Sequence, residues 1–100
     1  MTTESLRPAT DPSVVKSKRT ILVVDDDRRV VDLLQISLTQ NGFTVQTAMT
    51  GEEALESVRR EAPDLMILDL RLPKKSGFEI CAAMKSTRDT SHIPIVMVSA

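Results

Sequence analysis

Four short apolar runs alternate along this chain with three stretches whose apolar residues recur at helical spacing. The first run, TILVV at 20–24, is continuous and β-branched, as in a strand covered on both faces. Val30, Val31, Leu34 and Leu38 then recur with polar residues between them, and Asn41-Gly42 supplies a C-cap, which predicts a helix over 28–40. FTVQTA at 43–48 alternates apolar and polar residues like a half-exposed edge strand. GEEALESVRREAP predicts a short helix closed by Pro63. DLMILD at 64–69 is apolar until its last residue and predicts the third strand. DLRLPKKSG holds Pro and Gly and predicts a loop, after which Phe78, Cys81 and Met84 stripe a helix over 77–87. IPIVMVSA predicts a last buried strand from Ile93 to Ala100. The order βαβαβαβ implies an α/β fold of parallel strands joined by right-handed crossovers.

Residues 1–18 are rich in Ser, Thr, Pro and charge and lack apolar periodicity, so they predict a flexible leader before a domain over 19–100. A hydrophobic share of 41% with 27% charged residues suits one packed domain. A net charge of -1 and only two aromatic residues offer neither the positive field nor the stacking platform that nucleic acid requires, and KSKR at 16–19 is too short to change that. A single cysteine, Cys81, cannot close an internal disulfide and fits a reducing compartment. No stretch has the apolar length of a signal peptide or a membrane span, so a cytoplasmic location without membrane contact is expected.

The acidic positions change the picture. Asp25 and Asp26 are read as ending the first strand, with Asp27 behind them, and Asp69 as ending the third. In an open parallel sheet all strand C-termini share one edge, where ligands bind. If the strand order is 2-1-3-4, the first and third strands are neighbours and these carboxylates face one pocket. Gathered carboxylates raise one another's proton affinity, and a divalent cation relieves the repulsion. An all-oxygen site half open to water suits Mg²⁺, with Mn²⁺ as an alternative. Asp27 has a simpler role as helix N-cap, and Asp69 alone would pass for a turn residue. Two acidic sites at the ends of adjacent strands are not demanded by packing.

ILVVDDD, LMILDLRLPKKSG and IPIVMVSA, in this order and spacing, resemble three characteristic segments of the receiver domain of two-component response regulators. The resemblance covers 19–100 and implies a flavodoxin-like parallel sheet with helices on both faces. The usual fifth strand and last two helices would be lacking, leaving the receiver incomplete on its C-terminal side. It implies that Asp25 and Asp26 position Mg²⁺, that Asp69 accepts a phosphoryl group and helps hold the metal, and that Arg71 offers its backbone carbonyl. Ser99 matches the residue that bonds the phosphoryl group, Ala100 the small residue beside it, and Pro73 and Gly77 the loop that shapes the pocket. The family also carries a lysine at the end of its fifth strand; Lys74 and Lys75 do not match that position.

The implied role is a signalling phosphoacceptor, not an enzyme in the ordinary sense, whose partner is a histidine kinase or a histidine phosphotransfer protein. Direct nucleic-acid binding by this segment is not expected. Two rivals remain: a receiver-like module that only docks, and a Mg²⁺-dependent phosphatase with an Asp nucleophile. The second typically places another acid two residues after the nucleophile, where this chain has Arg71. His92 is expected to be a loop residue, Cys81 a core residue, and Arg28 and Arg29 exposed residues at a helix start. An apolar fourth strand with a free edge is a template for pairing, so self-association through that strand is expected as well.

Overall fold

The computed structural model describes residues 18–72 and 76–98. The elements run β1 (Thr20–Val24), α1 (Arg28–Gln40), β2 (Thr44–Ala48), α2 (Gly51–Arg60), β3 (Leu65–Asp69), α3 (Gly77–Lys85) and β4 (Ile95–Val98). The four strands form one parallel sheet in the order β2-β1-β3-β4. The chain reverses direction along the sheet after β2, so β1 and β3 lie side by side at its centre. The leader expected over 1–18 lies outside the described residues, apart from Lys18.

Two apolar layers hold the sheet. On one face Leu22, Val24, Met66 and Leu68 pack with Ala54 and Val58 of α2 and Ile80 and Met84 of α3. On the other, Ile21 and Val23 pack with Val31 of α1, supported by Leu34, Leu38, Leu65 and Ile67. Alternate residues of a strand point to opposite faces, which is why all five residues of β1 are buried while β2, at the edge, buries only Ala48. At the opposite end of the sheet from the strand C-termini, Thr20 N–H donates to Asp64 Oδ2 at 2.8 Å and Asp64 N–H donates to the Thr20 carbonyl at 2.8 Å. This reciprocal pair fixes the register of β1 against β3.

The helices begin and end as their side chains dictate. Asp27 caps α1 by accepting from Arg29 N–H, and Gly42, at φ 92, takes the left-handed conformation after the Asn41 cap. Ser76 and Glu79 form a capping box at the start of α3, a pairing legible in the spacing S-x-x-E.

Three expectations are corrected by packing. The buried stripe of α3 is Gly77, Ile80 and Met84, while Phe78 is 66% exposed and Cys81 half-buried. At 100° per residue, Phe78 falls well away from the arc centred on Ile80 and Met84, and only that arc meets the sheet. Helix α3 ends at Lys85, not at residue 87: Ser86 is its C-cap, with its N–H on the Ala82 carbonyl, and Lys85 Nζ donates to the Ser91 carbonyl of the following turn at 3.1 Å. Strand β4 starts at Ile95, since Pro94 has no N–H to enter a ladder, and among the described residues only one of its faces is covered: Val96 and Val98 are 47% and 39% exposed.

Candidate functional site

The strand order brings the three acidic positions to one place. Carboxylate oxygens of Asp25, Asp26 and Asp69 all lie within 4.8 Å of one another at the C-terminal edge of β1 and β3. They line an open cleft completed by Asp27, Val30, Arg71 and Val98. Asp25 and Asp26 stand just past the last residue of β1, not within it, though Asp25 N–H still donates to the Ala48 carbonyl at 3.1 Å. That bond ties the acidic loop to β2.

Each acid has a different environment. Asp25 is buried, and its Oδ1 accepts the Asp27 N–H at 2.8 Å. Burial pushes its carboxyl above the usual carboxylate range; the Asp27 N–H opposes this, and the charges of Asp69, Asp26 and Asp27 add to it. Desolvation, not the mutual repulsion anticipated from the sequence, is the leading cause. Asp26 is exposed. Asp27 is held below the usual range, first by its side-chain hydrogen bond from Arg29, and it pairs with that guanidinium at 3.2 Å on the surface. It serves the helix and the rim of the cleft.

Asp69 ends β3 half-buried, and its Oδ1 accepts the Arg71 N–H at 3.0 Å. The turn after β3 thereby orients the carboxylate. Gly77 closes the same turn, its N–H donating to the Leu70 carbonyl at 3.1 Å. Of the residues singled out by the sequence, Asp25, Asp26, Asp69 and Arg71 share the cleft and Gly77 packs against the main chain of Asp69 and Leu70, while Pro73, Lys74, Lys75, Ser99 and Ala100 lie outside the described residues. Val30 and Val98 as cleft-lining residues were not foreseen. Both sit where apolar periodicity assigns them to the core, and only the meeting of α1 and β4 with the acidic edge gives them a second role.

The donor set fits a hard divalent cation: three carboxylates, all oxygen, one buried, one half-buried and one exposed.

The response regulator receiver domain family matches residues 21–100. The chain belongs to that family. As a receiver it is 45% identical over 80 residues to response regulator MprA of Mycobacterium ulcerans, covering 80% of this chain and 34% of the relative. The alkaline phosphatase synthesis transcriptional regulatory protein PhoP of Bacillus subtilis is also 45% identical over 80 residues, covering 80% of this chain and 32% of its own length. The receiver thus spans about a third of these curated relatives. Among solved structures, the N-terminal domain of a response regulator receiver protein from Methanoculleus marisnigri superposes with a TM-score of 0.77 at 38% identity, over 79% of this chain and 64% of that one. Chemotaxis protein CheY4 of Vibrio cholerae gives a TM-score of 0.77 at 30% identity, over 80% and 67%. The fold is therefore the flavodoxin-like receiver fold through its fourth strand. Among the described residues no helix is long and apolar enough to cross a membrane.

Proposed function

We propose that this receiver accepts a phosphoryl group on Asp69 from the phosphohistidine of a histidine kinase or histidine phosphotransfer protein, with Mg²⁺ held by Asp25, Asp26, Asp69 and the Arg71 carbonyl. The observation that carries the reading is the convergence of three carboxylates from two adjacent strand ends within 4.8 Å.

In the transfer, one Asp69 oxygen forms a bond to phosphorus as the bond from phosphorus to the imidazole nitrogen breaks, and the imidazole leaves. The Arg71 N–H on Oδ1 orients the carboxylate toward that attack. A divalent cation held by these residues would supply positive charge against the phosphoryl group. Asp25, desolvated and bonded to the Asp27 N–H, is a rigid anchor for that charge, and exposed Asp26 leaves the approach open to water. Ser99 is assigned the role of hydroxyl donor to the phosphoryl group, with Ala100 leaving room beside it, and Pro73 and Gly77 shape the loop over the cleft. The relatives' names as response regulators, and the absence of a second acid two residues after Asp69, favour a signalling phosphoacceptor over a phosphatase. The proposed setting is cytoplasmic, in a two-component phosphorelay.

Incubation with a small acyl-phosphate donor and Mg²⁺, read by intact and peptide mass spectrometry, tests this. The parent chain should gain one phosphoryl group at Asp69 and Asp69→Asn none. Equal labelling of Asp69→Asn at that peptide, or no labelling of a folded parent with donor and cognate kinase both supplied, overturns it and leaves a docking module.

A further inference from the structure

Strand β2 closes the sheet at the end away from β4, so a strand added beside β4 leaves the outer edge of β2 untouched. Two bonds fix which of its groups face inward: Thr44 N–H donates to the Arg19 carbonyl at 2.8 Å, and Asp25 N–H donates to the Ala48 carbonyl at 3.1 Å. In a parallel ladder alternate residues turn both polar groups to the same side, so Thr44, Gln46 and Ala48 address β1 while Val45 and Thr47 address the outer edge. No charged residue lies within Thr44–Ala48 to blunt that edge. Gln46 shares a sheet face with Leu22, its register partner, on the side covered by α2. Its Oε1 is the one buried side-chain nitrogen or oxygen among the described residues that has no hydrogen-bond partner.

We propose that this edge is an interface for a second copy of the chain, in which β2 pairs with β2 of the partner antiparallel about a two-fold axis at Gln46. Its register follows from the outward groups. Val45 faces the partner's Thr47, each residue of the pair exchanging N–H and carbonyl, and the axis repeats the exchange. All four outward N–H and carbonyl groups of each strand are then bonded. Gln46 meets the partner's Gln46 at the close, non-hydrogen-bonded spacing and on the same face, where an amide N–H of one copy can donate to the orphaned Oε1 of the other.

Charge favours a second copy over an unrelated strand. Helix α2 opens on Glu52 and Glu53 and ends on Arg59 and Arg60, so its two ends are oppositely charged. Leu55 turns one flank of α2 toward the core shared with α3, which leaves the opposite flank, with Glu53 and Arg60, over the β2 edge. The two-fold sets the α2 helices of both copies side by side and antiparallel, and Glu53 of each then lies level with the partner's Arg60. Both residues are exposed in the single chain, and Glu56 between them is already paired with Arg59 at 3.1 Å. A parallel arrangement would set like ends together. The interface does not depend on phosphoryl transfer at Asp69, and its test contains neither donor nor metal.

Sedimentation of the full chain over a wide concentration range should show a reversible monomer–dimer equilibrium. Thr47→Pro removes an outward N–H and no bond to β1, so the sheet should stay intact by circular dichroism while dimerisation weakens roughly tenfold or more. Arg60→Glu, at an exposed position, leaves the fold alone and should weaken association about tenfold; added salt should weaken the parent's association but not this variant's. In a Cys81→Ser background under mild oxidation, Gln46→Cys should cross-link, because the paired Cα atoms are about 4.5 Å apart. Thr44→Cys should not, since its two copies lie about 13 Å apart along the strands. A folded parent that stays monomeric at millimolar concentration overturns the proposal. So does dimerisation that either Thr47→Pro or Arg60→Glu leaves unchanged, or cross-linking of Val96→Cys in place of Gln46→Cys, which puts the contact at the other end of the sheet.

Discussion

A Cβ built on Gly77 would lie 2.8 Å from the carbonyl oxygen of Asp69 and 2.8 Å from the Cα of Leu70. The start of α3 therefore packs against the main chain of the very residue proposed as phosphoacceptor, and only a residue without a side chain fits there. Gly77→Ala sets two effects against each other. Alanine in a helix gains up to about 1 kcal/mol over glycine. Pushing backbone apart to admit a methyl group in a packed site costs about 1–3 kcal/mol. Net destabilisation is expected, measured as a lower denaturant midpoint, together with slower labelling of Asp69 as its turn is displaced. A midpoint above that of the parent would show that the turn yields freely.

Metal should stabilise the folded chain. At a free Mg²⁺ concentration tenfold above Kd, linkage contributes about 1.4 kcal/mol, seen as a rise in melting temperature. Asp26→Ala should lose most of that response while leaving the metal-free chain no less stable, since Asp26 is exposed and its removal relieves crowding. A melting temperature indifferent to millimolar Mg²⁺ counts against the metal site.

The pH dependence has a definite sign. Asp25 is raised above its ordinary value of 3.8, first by burial, so the folded chain holds its proton to higher pH than the unfolded chain. Its contribution to stability is full below the ordinary value and is lost as pH rises through the raised folded value. Asp27, lowered by Arg29, works in the opposite sense, stabilising above 3.8 and losing that as pH falls, but at an exposed position where the effect is small. Asp25→Asn keeps an oxygen to accept the Asp27 N–H and removes the buried charge. Without metal it should be more stable than the parent near neutral pH, with the gap closing toward acid. Denaturant midpoints of both chains across that range decide it; a constant gap would place the effect elsewhere.

Much of this receiver was written locally. The bounds of β1 and α1, the Asp27 cap and the left-handed Gly42 follow from neighbours a few residues apart, where β-branching, helical spacing and backbone sterics act. The acidic site was legible too, but only because parallel crossovers force distant strand ends to one edge. What local pattern could not decide is which apolar residue finds a partner. Phe78 and Ile80 are equally apolar in sequence, yet one is 66% exposed and the other fully buried, because the sheet meets a single arc of α3. Asp25 and Asp26 are adjacent and chemically identical, yet only the first is buried, because the ladder bond to Ala48 holds it against the sheet. Burial is a property of what packs against a residue, and that is settled by tertiary structure.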